Sequence, residues 1–150
     1  LDWQVSLSGS LRHWTNDPII ALTPGDLILA WANLGSLIEG SLKTLLSVYY
    51  EDYIVDTVNL KKSGAYHNKK DVPLDPDGLT LGPLRKYCQS RKLLDDEGDA
   101  LVELVHQRRN AIHAFEDTSI GNSQEFEIAV RRYFSLLMKI DSSLPYPNFR

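Results

Sequence analysis

Apolar residues recur at helical spacing in four stretches of this chain. The longest opens on Thr23-Pro24-Gly25-Asp26, where Thr23 can cap, Pro24 suits the first helical position and Asp26 favours the N-terminal amides. Leu27, Ile28, Leu29, Ala30, Trp31, Leu34, Leu37, Ile38, Leu42, Leu45, Leu46 and Val48 then predict a long central helix reaching about Tyr50. Along it Ala32, Ser36 and Gly40 form a stripe of small residues that another backbone can approach. A shorter helix is expected over Leu81 to Lys92, with Leu84, Tyr87 and Cys88 inward and Arg85, Lys86, Arg91 and Lys92 on an outer face without acids. Asp95 and Asp96 start a third helix that runs to about Phe115, with Glu97 and Asp99 in its first turn. Asn122 and Glu125 cap the last one, whose apolar face is Phe126, Val130, Tyr133, Phe134, Leu137 and Ile140, and Pro145 and Pro147 end the regular structure.

Periodicity is weaker elsewhere. Residues 1–22 read as a lead-in segment packed through Trp3 and Trp14, with a turn at Asn16-Asp17-Pro18 and room for a short helix. From Glu51 to Thr80, turn signals at Ser63-Gly64, Asp71-Val72-Pro73 and Asp75 to Gly78 suggest a long connection. The acidic Asp75 to Gly78 turn lacks the remaining ligands of a calcium loop and reads as a solvated turn. The pattern is all-α, with residues 23–150 as a single domain.

Composition changes this picture little. At 150 residues, with 43% hydrophobic and 24% charged positions, the chain can bury a core without metal or disulfide staples. A net charge of -4 argues against coating nucleic acid by overall charge, but leaves room for a local basic cleft. Cys88 is the single cysteine, so no intrachain disulfide can form; no Cys/His pattern has zinc spacing, and no metal or cofactor is expected. Asn33, Glu39 and Lys43 interrupt the one window long enough to span a membrane. Asp2, Arg12, His13 and Asp17 break any leader-like run, and a cytoplasmic setting is expected. A start at Leu1 instead of Met reads as a trimmed chain or a domain of something larger.

The chemistry concentrates in Val105-His106-Gln107-Arg108-Arg109-Asn110-Ala111-Ile112-His113-Ala114-Phe115. At roughly 100° per residue, Leu101, Leu104, Val105, Ile112 and Phe115 gather in an apolar arc. His106, Arg109, Asn110 and His113 form a polar stripe on its flank. Arg108 points toward the arc and needs a partner there, for which Glu39, an isolated acid of the first helix, is the candidate. Ideal helix geometry makes Arg109 the nearer neighbour of His113, so which arginine serves stays open.

Arg108 and His113, with Arg109 between them, resemble the signature of the HEPN superfamily: an arginine, usually a polar residue next, and a histidine a few positions on. The order of expected elements over residues 24–141 is similar too, as is the run from Asn110 to Phe115 followed by Ser119-Ile120-Gly121 and an aromatic-rich helix, which resembles bacterial proteins of this kind. The resemblance implies a four- or five-helix up-and-down bundle of HEPN type, often a homodimer, that cleaves RNA without a metal in bacterial stress or phage defence. It also allows an antitoxin or a larger protein as partner. One branch of the superfamily carries a modified Tyr two residues after the His; Phe115 stands there in this chain, which counts against that form of toxin control.

Metal-free RNA cleavage needs a base for the 2′-hydroxyl, an acid for the leaving oxygen, and a cation for the charge building on phosphorus. His113 suits either proton transfer. Arg108 or Arg109 suits the phosphate oxygens, and Asn110 can orient the imidazole or the phosphate. A symmetric dimer would bring two such sets to one cleft, giving a 2′,3′-cyclic phosphate and a 5′-hydroxyl. Arg85, Lys86, Arg91 and Lys92, and the pair Arg131-Arg132, are candidates for a flanking RNA surface. The rival expectations are a non-catalytic helical module binding a nucleotide, RNA or protein through the same cleft, and plain packing, in which the arginines answer local acids such as Glu103 and Glu116.

Overall fold

A computed structural model describes residues 2–15, 21–113 and 119–145, and it is mostly helical. Helix α1 spans Asp2–Ser10, and α2 spans Pro24–Val48. Thr23 caps α2 through its side chain, which accepts the Asp26 amide at 3.2 Å. Ten residues of α2 are buried, from Leu27 to Leu46, so this helix is the axle of the core. Around it pack α5 (Leu81–Ser90), α6 (Asp96–Arg109) and α7 (Ser123–Ser143), which also touch one another at the α5–α6 and α6–α7 seams. Leu84, Tyr87, Cys88, Leu101, Val102, Val105, Phe126, Val130 and Tyr133 close the core against it. None of the described helices is long and apolar enough to cross a membrane.

Asp95 and Asn122 cap α6 and α7, accepting the amides of Gly98 and Glu125 at 2.9 Å each. Helix α7 stops at Ser143, before Pro145. Two aromatic expectations fail. Trp3 is 84% exposed and Phe134 is 55% exposed, whereas Leu136 takes a buried place on α7. Trp14 does pack against the core. The expected turn at Asn16-Asp17-Pro18, and Phe115, Glu116 and Pro147, lie outside the described residues.

The stretch expected to be an irregular connection is ordered. It holds α3 (Tyr50–Val55), α4 (Thr57–Ser63) and an antiparallel pair of short strands, β1 (Tyr66–His67) and β2 (Val72–Pro73). Asp56 accepts the Asn59 amide to cap α4, and Gly64, at φ +82°, ends it in the left-handed region that favours glycine. Tyr53, Leu60 and Ala65 are buried there, and the Tyr53 hydroxyl donates to the Leu74 carbonyl at 2.7 Å. The Asp75 to Gly78 turn is a 3-10 turn in which Asp75 accepts the Asp77 amide.

The small-residue stripe of α2 receives α1. The Gln4 amide donates to the Ser36 carbonyl, Asn33 donates to the Leu7 carbonyl, and the head of Gln4 fills the space where a side chain at Gly40 would stand. Helix α1 thus docks through polar contacts and through Leu7, which packs against the core, with no fully buried residue of its own.

Candidate functional site at the end of α6

Along α6, Gly98, Leu101, Val102 and Val105 are buried, a 3/4 spacing that fixes which side faces the bundle. Continuing that spacing brings both Arg108 and Arg109 to the seam, one on each side of it. Arg109 leans toward α2: its Nη1 donates to Glu39 Oε2 at 2.7 Å, and its stem lies over Gly35, where an added Cβ would stand 2.6 Å from the Arg109 Cδ. Arg108 leans toward the start of α7. Its Nη1 donates to the carbonyl and, at 2.7 Å, to the hydroxyl of Ser119, and its Nη2 donates to Glu125 at 3.2 Å.

The acid expected to answer Arg108 therefore answers Arg109 instead. The projection could not separate two adjacent arginines straddling one seam, and α7 supplies Arg108 with its own acid. Glu125 was expected to complete a capping box with Asn122, but its carboxylate turns to Arg108. Arg108 Nε is buried without a hydrogen-bond partner among the described residues.

Glu39 is shared. Its Oε1 accepts from Lys43 Nζ at 2.9 Å while Oε2 accepts from Arg109. Burial alone would raise its carboxyl, but the hydrogen bonds and charges of Lys43 and Arg109 outweigh that and hold it below the ordinary value of 4.5. A carboxyl depressed on folding contributes stability that is complete above its unfolded value and is lost as pH falls through the lower folded one. We therefore expect the acid side of the Tm profile to be shallower in Glu39→Gln than in the wild type below about pH 4.5, as followed by circular dichroism.

After Arg109 the backbone tightens into a 3-10 turn, Asn110–His113. The expected α-helix to Phe115 ends here, and the change of pitch undoes the projected arc: Ile112, placed in the core by a 100° step, is 46% exposed. In a 3-10 turn residues three apart eclipse, so Asn110 and His113 share one face. Both are exposed, and neither makes a hydrogen bond to another described residue. His106, the other imidazole of the predicted stripe, rests on Gly82 of α5, its Cε1 3.4 Å from where a Cβ would be.

The loop at residues 119–121 is pinned from two sides. Trp31 Nε1 donates to the Ile120 carbonyl at 2.7 Å, and Arg108 holds Ser119. Gly121 follows at φ +71°, with the Glu125 carboxylate where a Cβ would go. Gly121→Ala should cost about 1 kcal/mol or more and lower the urea midpoint, because the left-handed backbone and the Arg108–Glu125 pair are both disturbed. An unchanged midpoint would show that this turn carries no constraint.

The flanking basic face is less free than its composition suggested. Arg85 faces α6, donating Nε and Nη2 to Asp99 at 3.0 and 2.8 Å and Nη1 to Glu103. Arg91 pairs with Asp56 at 3.3 Å. Lys86 and Lys92 are exposed and make no ion pair among the described residues. Arg131 pairs with Glu127, and Arg132 donates to the Glu97 carbonyl. Helix α5 carries no acid of its own on this face, but acids from α6 and from the cap of α4 take up two of its four cations.

Two further features lie away from this end of α6. Cys88 is fully buried, and burial, then the charge of Asp99, pushes its thiol up to about 12, which removes it as a nucleophile near neutral pH. A groove of about 500 Å³ between α1, α2 and α7 is lined by Leu37, Tyr133, Leu137 and Met138, and contains none of the residues expected to form the site. Sequence reasoning missed Gly35, Ser119 and Glu125, which hold the two arginines, and Lys43, which shares Glu39 with Arg109. Lys43, one turn after Glu39, was the legible signal among them. Comparison with protein-family models, curated proteins and solved structures returned no match.

Proposed function

We propose that this chain is a metal-independent endoribonuclease of HEPN type, working as a homodimer on RNA in a bacterial stress or defence setting. The observation that carries the reading is the exposure of His113 and Asn110 on one face of the 3-10 turn, directly after two arginines that neighbouring helices hold in place. A histidine kept for packing would be buried and bonded. An exposed imidazole can take the 2′-hydroxyl proton, and the same group on a partner subunit can protonate the leaving 5′-oxygen. Asn110 can donate to a phosphate oxygen, and an arginine can neutralise the charge that develops on phosphorus. The motif supports RNA as the substrate class, and the superfamily resemblance supplies the setting.

A second reading has its own support. Arg108 spends its charge on Glu125 and its donors on Ser119, as a residue of a purely structural joint would. That favours a non-catalytic module that binds RNA, a nucleotide or a protein at the same face. Incubating end-labelled single-stranded RNAs with the purified chain in excess EDTA separates the two. The nuclease reading expects cuts ending in a 2′,3′-cyclic phosphate, with loss of cutting on dilution below the dimer range. A folded protein that binds RNA and leaves it whole supports the module.

A further inference from the structure

The two adjacent arginines do different work, and the geometry points to Arg109 as the phosphate-contacting one, set in position by a slot that Gly35, Glu39 and Lys43 form on α2, with Arg108 a structural clasp. This rests on the nuclease reading and deepens it. It departs from the spacing of the superfamily signature, which would select Arg108.

Hydrogen-bond capacity gives the first argument. A guanidinium has five N–H donors. Arg108 directs both Nη1 hydrogens at Ser119 and one Nη2 hydrogen at Glu125, while its Nε is buried. Little remains for a ligand. Arg109 commits Nη1 to Glu39, and neither its Nε nor its Nη2 makes a hydrogen bond to a described residue. Its fork therefore keeps the edge that a phosphate oxygen pair would use.

Charge gives the second. Arg108 and Glu125 cancel as a pair. Glu39, in contrast, divides its carboxylate between Lys43 and Arg109, so that trio keeps one net positive charge and Arg109 is only partly neutralised. Packing gives the third. With no side chain at Gly35, the Arg109 stem lies directly on the α2 backbone, and Glu39, one turn along, fixes the direction of the head. Glu39 is accordingly a positioning residue: it acts on the reaction through Arg109.

The test uses a fluorescent single-stranded RNA in EDTA, with binding followed by anisotropy across a salt series and cleavage by single turnover. Arg109→Gln should weaken binding and lower the salt slope by about one, as for a lost phosphate contact. Arg108→Gln should lower Tm yet keep the wild-type slope, measured at a temperature where it is folded. Glu39→Gln should bind at least as tightly as the wild type, having one negative charge fewer, while cutting roughly ten- to a hundredfold more slowly. A packing role alone would not produce that split. Gly35→Ala, which displaces the Arg109 stem, should repeat the loss of rate with a wild-type circular dichroism spectrum. A lost slope in Arg108→Gln with an unchanged one in Arg109→Gln overturns the assignment while leaving the nuclease reading intact. Wild-type protein that neither binds nor cuts RNA removes both. If it binds without cutting, the slopes alone decide.

Discussion

His113→Ala is expected to reduce metal-free cleavage of single-stranded RNA by at least about a hundredfold, the scale of a lost general acid–base group. The fold should not notice. His113 is exposed on the 3-10 turn and bonds to no described residue, so Tm and the far-ultraviolet spectrum should match the wild type. That separation of activity from stability gives the experiment its force: a residue serving only the bundle would lower Tm with activity, and a bystander would change neither. Heterodimers of His113→Ala with the wild type should cut far more slowly than wild-type dimers, because each lacks one of the two histidines. Full cutting by His113→Ala would move the chemistry elsewhere and sink the reading at its centre.

The sequence disclosed elements where local chemistry sets them. Thr23, Asp95 and Asn122 each accept the amide expected of a cap, because capping depends on a few neighbouring residues. The central helix was legible because its apolar stripe repeats over many turns. Helices α3 and α4 were not, since six and seven residues are too few for a period to register. Trp3 and Phe134 show the converse limit: apolar character favours burial but does not say which of several apolar positions the bundle will cover. At the candidate site, the oddness of Glu39 on an apolar helix identified an acid that pairs with the motif. Its partner was misassigned because a projection gives directions on one helix, whereas the choice between Arg108 and Arg109 is made by what α2 and α7 present across the seam. The 3-10 turn was hidden as well, because nothing in Asn110-Ala111-Ile112-His113 differs locally from a continuing helix.

The largest stability effect should come from Trp31. This indole is fully buried on the core face of α2, meets Phe126 edge-on at a centroid distance of 5.0 Å, and donates Nε1 to the Ile120 carbonyl at 2.7 Å. Trp31→Ala removes all three contributions and leaves a cavity between α2 and α7, at a cost of about 3–5 kcal/mol. For a domain of this size, each kcal/mol moves Tm by roughly 2–4 °C, so thermal unfolding should shift down by about 6–20 °C. Trp31→Phe separates the contributions: the ring still meets Phe126, but the Ile120 carbonyl loses its donor, and the penalty should be about 1–3 kcal/mol. The consequence reaches the site through the chain itself. Ile120 is bonded to Ser119, and Ser119 holds Arg108, so Trp31→Phe should raise amide exchange at residues 119–121 before it raises exchange in α2 or α6. Equal protection across these segments would show that the loop is held by Arg108 and Glu125 without help from the indole.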